Sequence, residues 1–202
     1  MPTPTLIYHI THLDNLPQII QSGGLYSWTI LHRDNIQYTN IAHQTIQDRR
    51  STTPVVLPPF GVLHDYVPFY FAPRSPMLCA IYNNKVDDYK GKQHEIIHLV
   101  SDAHVLQQAG VPFVFTDGHG IMFITNFYNN LQDLDKIDWG IMRAKYWADT
   151  NEDGDRRRRR WSLIIGIGVM NEQTLNRVNE ILNTNQQITH KPFIKIKRAW
   201  YY

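Results

Sequence analysis

The chain predicts an α+β fold, and three observations carry that prediction. Apolar runs with strand character and apolar repeats with helical spacing both occur, but not in the regular alternation that βαβ units require. No internal repeat is visible. The 202 residues are 43% hydrophobic and 19% charged, which suits one folded domain, residues 1–202, large enough for a core.

The first element sets the pattern. Ile7, Tyr8 and Ile10 form a short β-prone run, with His9 and Thr11 sharing its other face. Leu13, Leu16, Ile19 and Ile20 then repeat at helical spacing, with Asp14 or Asn15 as the expected cap and Ser22-Gly23-Gly24 as the stop. Residues 27–40 read as a polar connection. Residues 41–50 read as a helix ending in Arg49-Arg50. Pro54, Pro58, Pro59 and Gly61 make 51–61 a loop. Residues 63–71 read as a strand with an early bend, and 77–82 as a short helix.

Residues 95–100 are a strong strand candidate, followed by a short helix capped by Ser101 and ended by Gly110. Residues 113–115 read as a strand, and Thr116-Asp117-Gly118-His119-Gly120 as a tight, flexible loop. Residues 127–147 are expected to be mainly helical, and 151–160 polar and charged. A strand over 163–169, an amphipathic helix over 171–183 and a terminal strand over 193–202 complete the pattern.

Charge and composition narrow the function classes. No apolar run approaches the roughly 20 residues of a membrane span, and Met1-Pro2-Thr3-Pro4 lacks the charged and apolar regions of a signal peptide. Cys79 is the single cysteine, so no internal disulfide forms and a reducing cytoplasm is expected. The net charge is only +2, but residues 156–160 are consecutive arginines, and Lys191, Lys195, Lys197 and Arg198 add to them. With 12% aromatics, this distribution suits nucleic acid, although a basic run is commonly a solvated turn.

His94-Glu95-Ile96-Ile97-His98 matches the H-E-x-x-H zinc pattern, with His104 six residues further on. That pattern works on a helix, where residues i and i+4 share a face. Here Ile-Ile in the middle and Leu-Val beyond favour a strand. A strand would hold the two imidazoles about 13 Å apart, too far to share an ion. No metal is expected.

Separated segments carry a more specific signal together. They are Tyr8-His9-Ile10-Thr11-His12; Ala42-His43-Gln44-Thr45-Ile46-Gln47-Asp48-Arg49-Arg50; residues 61–78, around Tyr66-Val67-Pro68-Phe69-Tyr70; and Pro112-Phe113-Val114-Phe115-Thr116-Asp117-Gly118-His119-Gly120. With Tyr146-Trp147-Ala148-Asp149 and the closing Trp200-Tyr201-Tyr202, they closely resemble the DarT family of DNA ADP-ribosyltransferase toxins, in order along nearly the whole chain. The resemblance implies an ADP-ribosyltransferase-like split β-sheet core with flanking helices. It implies NAD⁺ as substrate and transfer of ADP-ribose to a base of single-stranded DNA, typically thymine. It further implies pairing with a macrodomain antitoxin.

By the same resemblance, His9 and Thr11 hold the nicotinamide-side ribose and amide, and Tyr70 and Met77 flank the nicotinamide ring. Gln18 and Tyr26 are further NAD⁺ contacts. Arg50 is the catalytic arginine, and Arg49 beside it a solvated helix end. His119 faces the DNA, and Arg156, Arg157 and Arg158 meet its phosphates. The chain departs from the family in one place. The family's catalytic glutamate lies in a segment just after the basic run, whereas Arg160 here passes directly to Trp161-Ser162-Leu163-Ile164. Glu152, Asp153 and Asp155 are the nearest acidic residues. The expectation is a transferase scaffold with little or no turnover. The alternative is a non-enzymatic domain that binds single-stranded nucleic acid.

Overall fold

The computed structural model describes residues 4–142, 153–156, 158–185 and 188–202. Tyr146 to Asp149, Glu152 and Arg157 lie outside them. Strand β1 (Leu6–His12) leads into a 3-10 turn (Leu13–Asn15) and helix α1 (Leu16–Gln21). Then come β2 (Gly24–Tyr26), α2 (Trp28–Arg33), α3 (Gln44–Thr52), β3 (Tyr66–Phe69), α4 (Pro76–Tyr82), β4 (Ile96–Asp102) and α5 (Ala103–Gln108). The remainder is β5 (Phe113–Thr116), β6 (Phe127–Tyr128), α6 (Trp139–Met142), β7 (Asp153–Arg156), β8 (Arg158–Arg160), β9 (Gly166–Val169), α7 (Glu172–Thr184) and β10 (Phe193–Ile196).

The strands form two four-stranded sheets, β1-β4-β9-β10 and β3-β7-β5-β6, with β2 and β8 as a separate ribbon. This is the mixed, split arrangement expected. The two large sheets touch through one hydrogen-bonded pair, in which Tyr8 and Tyr70 exchange N–H···O bonds of 2.9 Å. In an antiparallel ladder the next such pair would be Ile10 with Pro68. Proline has no N–H to give, so the ladder stops. The Pro68 carbonyl is taken by the His9 imidazole, whose Nδ1–H donates to it over 2.8 Å. Beyond that point β1 and β3 diverge.

Burial holds the layers together. Ile7, Leu16, Phe69, Ile97, Leu99, Leu106, Phe115 and Trp161 belong to the main core cluster. Ile10, Tyr70, Leu78 and Tyr201 form a second, and Val55, Leu63, Tyr66, Val114 and Ile121 a third.

Several expectations are corrected. Neither Asp14 nor Asn15 caps the first helix by its side chain. His12 Nδ1 accepts from the Asp14 N–H, and Pro17 occupies the first turn of α1, where an N–H is not needed. Residues 27–40 contain α2. Asp102, not Ser101, caps α5, because the Ser101 hydroxyl donates to Leu163 O over 2.7 Å. Residues 127–147 open with a strand: Tyr128 pairs with Phe115, and their rings stack 5.4 Å apart. The polar, basic stretch is extended, with β7 between β3 and β5 and β8 on β2. Backbone pairing there overrides composition. The strand expected over 163–169 begins only at Gly166, and the terminal strand stops at Ile196, before a 3-10 turn over Arg198–Trp200.

His94 stands in a 3-10 turn (Gln93–Glu95) ahead of β4, while His98 is fully buried within β4. His98 Nε2–H donates to Pro73 O over 2.8 Å, and Nδ1 lies 3.2 Å from the Tyr201 hydroxyl. Burial pushes the His98 pKa down from 6.5 to about 4, against the opposing pull of the Pro73 carbonyl. A depressed histidine makes the unfolded chain bind protons first, so its stabilising share is complete above pH 6.5 and is lost as pH falls toward 4. That share is about 3 kcal/mol. Melting temperatures recorded from pH 7 to pH 4 are expected to fall, and His98→Gln is expected to remove this part of the slope.

Candidate active site

The divergence of β1 and β3 opens a cavity of about 410 Å³, within the size range of small-molecule sites. β1 contributes His9 and Thr11, α1 Gln18, β2 Tyr26, α3 Gln47 and Arg50, α4 Met77, and the chain after β3 Tyr70. His119 enters from the loop between β5 and β6. The residues expected from the sequence to hold NAD⁺, together with Arg50 and His119, therefore line one cavity. Arg157 lies outside the described residues. Arg156 and Arg158 are placed only by backbone register, opposite Tyr66 and Tyr26, two residues that line the cavity.

The wall is braced by groups behind it. Thr11 is buried, and its hydroxyl accepts from Asn15 Nδ2 over 3.0 Å. Asn15 also donates to Thr39 O and accepts from the Thr39 N–H at 2.7 Å. It thus ties the cavity segment 38–40 to β1. The Tyr26 hydroxyl donates to Ser22 O, which fixes its ring against the end of α1. Ser75 accepts from the Leu78 N–H and starts α4, setting Met77 in its first turn.

Arg50 is 6% exposed, whereas Arg49 is on the surface and donates to Ile121 O over 3.0 Å. The buried guanidinium donates through Nη2 to Leu63 O at 3.0 Å. Behind it His64 is also buried, and its Nε2–H donates to Gln47 Oε1 at 2.9 Å. Burial first, then the neighbouring Arg50 cation, pushes the His64 pKa down from 6.5 to about 4. His64 is therefore neutral near pH 7. Its ring stacks on Trp28, which stacks in turn on His32. No Asp or Glu occurs among the described residues that line the cavity.

The His119 loop is closed on itself. His119 O accepts from the Met122 N–H at 2.8 Å and from the Thr125 hydroxyl at 2.9 Å. The Asp117 carboxylate accepts from both the backbone and the side chain of Asn126. Gly118 leaves room for the Thr125 side chain, whose hydroxyl a Cβ there would meet at 2.8 Å, and these bonds hold the turn.

The family model described as ssDNA thymidine ADP-ribosyltransferase, DarT, matches residues 8–202. The chain belongs to the DarT family. A DNA ADP-ribosyl transferase of Thermus sp. (strain 2.9) is 42% identical over all of this chain and 98% of its own length. Thermus sp. 2.9 DarT in complex with ADP-ribosylated ssDNA superposes with a TM-score of 0.94, at 41% identity, over all of this chain and 98% of that one. The same protein with NAD⁺ gives 0.90, at 39% identity and 100% and 99% coverage. A transferase–glycohydrolase fusion protein of Thermosipho africanus is 27% identical over 75% of this chain and 36% of its own.

Sequence reading missed the supports. Asn15 passes for a helix cap, and Trp28, Tyr38 and Thr39 sit in what reads as a polar linker. The one signal for them is a large aromatic placed among polar residues. Replacing Arg50 by Met removes the cation beside His64. The His64 titration, followed by NMR, is expected to move upward from about 4 while staying below 6.5, since burial remains.

Proposed function

We propose that the cavity is an NAD⁺ site and that the strand carrying the target base enters beside His119. His9 and Thr11 hold the nicotinamide-side ribose and amide, Tyr70 and Met77 flank the flat cationic ring, and Gln18 and Tyr26 add contacts. Arg50 serves the diphosphate, where a guanidinium can donate two parallel bonds. His119 and the arginines Arg156, Arg157 and Arg158 serve the DNA, with thymine as the base modified.

In the reaction the nicotinamide–ribose C–N bond breaks, nicotinamide leaves with the bonding pair, and positive charge builds on the ribose as in glycoside cleavage. A thymine nitrogen then bonds to the anomeric carbon and gives up its proton. A carboxylate beside the anomeric carbon would serve both the charge and the proton. A positioned acid or base contributes about 10²- to 10⁴-fold.

One observation carries the reading: the cavity gathers His9, Thr11, Gln18, Tyr26, Arg50, Tyr70, Met77 and His119. Low turnover is a separate expectation, which rests on the direct passage from Arg160 to Trp161 where the family resemblance implies a catalytic glutamate. Pairing with a macrodomain antitoxin follows from the family resemblance and is in keeping with the name of the Thermosipho fusion protein.

NAD⁺ is expected to raise the melting temperature, and His9→Ala to abolish that rise. Mass spectrometry of a thymine-containing oligonucleotide incubated with NAD⁺ is expected to show little or no ADP-ribose adduct. Rapid, complete modification would overturn the low turnover. Salt-dependent oligonucleotide binding with no response to NAD⁺ would favour the non-enzymatic nucleic-acid-binding reading instead.

A further inference from the structure

Large apolar side chains are exposed mainly in two places that touch. One is the His119 loop, where Phe123 is fully exposed, Ile124 is 84% exposed and Met122 45%. The other is the proline-rich loop before β3, where Val56 is 62% and Phe60 54% exposed. The two loops pack on each other. Val55 and Ile121 share one buried cluster, and Asn129 Nδ2 donates to Pro58 O. Arg49 donates to Ile121 O and ties α3 to the same junction.

Exposing two aromatic rings on adjoining braced loops costs free energy in water, and a patch of this kind marks a binding surface. Its position says for what. Met122 N–H and the Thr125 hydroxyl both bond to His119 O, so the apolar tip is the outer edge of the turn that places His119 in the cavity. The same loop springs from the Thr116 end of β5, the end that pairs with Asp153 of β7, with Arg156 at the opposite end of that pairing. Exposed aromatic faces next to the base-facing His119 are what an unpaired strand can use, because every base has a face to stack on a ring.

We propose that Phe123, with Phe60 across the loop junction, is a stacking platform for the unpaired bases that flank the target base. The inference rests on the single-stranded DNA reading given above and adds a place for the neighbouring nucleotides outside the cavity. Duplex DNA would be rejected there, because its bases have no free face to offer.

The test is a binding cycle that needs no turnover. A labelled thymine-containing single strand is titrated with the unaltered protein and with Phe123→Ala, using the intact strand and a series carrying one abasic position each. Phe123 is fully exposed, so its truncation leaves the core untouched, which thermal melting checks. The intact strand should bind Phe123→Ala about 10-fold more weakly, with the salt dependence unchanged. One or two abasic positions should weaken the unaltered protein by a similar factor and have no effect on Phe123→Ala. Phe60→Ala should show the same loss at a neighbouring position. Equal affinities and equal abasic profiles would overturn the platform while leaving the DNA reading intact. Failure of the unaltered protein to bind the strand would overturn both. A change in self-association on Phe123→Ala, with oligonucleotide affinity kept, would assign the tip to a protein contact and overturn the platform.

Discussion

A missing hydrogen atom organises this molecule. At position 68 the ladder between the two large sheets requires an N–H, and proline supplies none. Had the ladder continued, β1 and β3 would close against one another and the space now occupied by the cavity would be backbone. Because it stops after Tyr8 and Tyr70, His9 turns its imidazole to the Pro68 carbonyl and both strands present side chains to the gap. The break leaves no donor unsatisfied at residue 68, which makes it tolerable so close to the core.

Around that gap the wall is assembled from short elements that are each fixed by something behind them. Asn15 ties the segment 38–40 to β1, Ser75 sets the start of α4, and His64 holds Gln47 beside Arg50. The result is unusual in charge. Arg50 lies in a low-dielectric wall whose described residues include no anion, and the histidine at its back is held neutral. Such a wall suits an anionic group, such as a diphosphate, better than a cation.

Much of this was legible in the sequence, and the rest was hidden for identifiable reasons. The candidate site residues were singled out because their types and order match a family pattern, and the structure brings His9, Thr11, Gln18, Tyr26, Arg50, Tyr70, Met77 and His119 to one cavity. The helix over 172–184 was found because its apolar spacing is strong and Asn171 caps it. The strands at 153–160 were missed because their pairing is supplied by distant edges on β2, β3 and β5, while composition alone suggested a solvated turn. Asn15 and Ser101 were misread as caps. Each lies beside a helix start, but each bonds a segment far along the chain, and a local rule has no access to that choice.

The indole of Trp28 shows how a wall residue can be removed from the ligand's reach without leaving the wall. His32 stacks on it at 3.4 Å between ring centres and His64 at 4.2 Å, each tilted by 20°. With two imidazoles already stacked on it, the largest aromatic beside the cavity has little face to offer a nicotinamide or adenine ring. What it presents is a rim, and the rim of an aromatic quadrupole is electropositive. Such a rim would offer a guest's carbonyl or phosphate oxygen a weak, fixed donor edge. In the proposed site, sandwiching a flat ring then falls to Tyr70 and Met77.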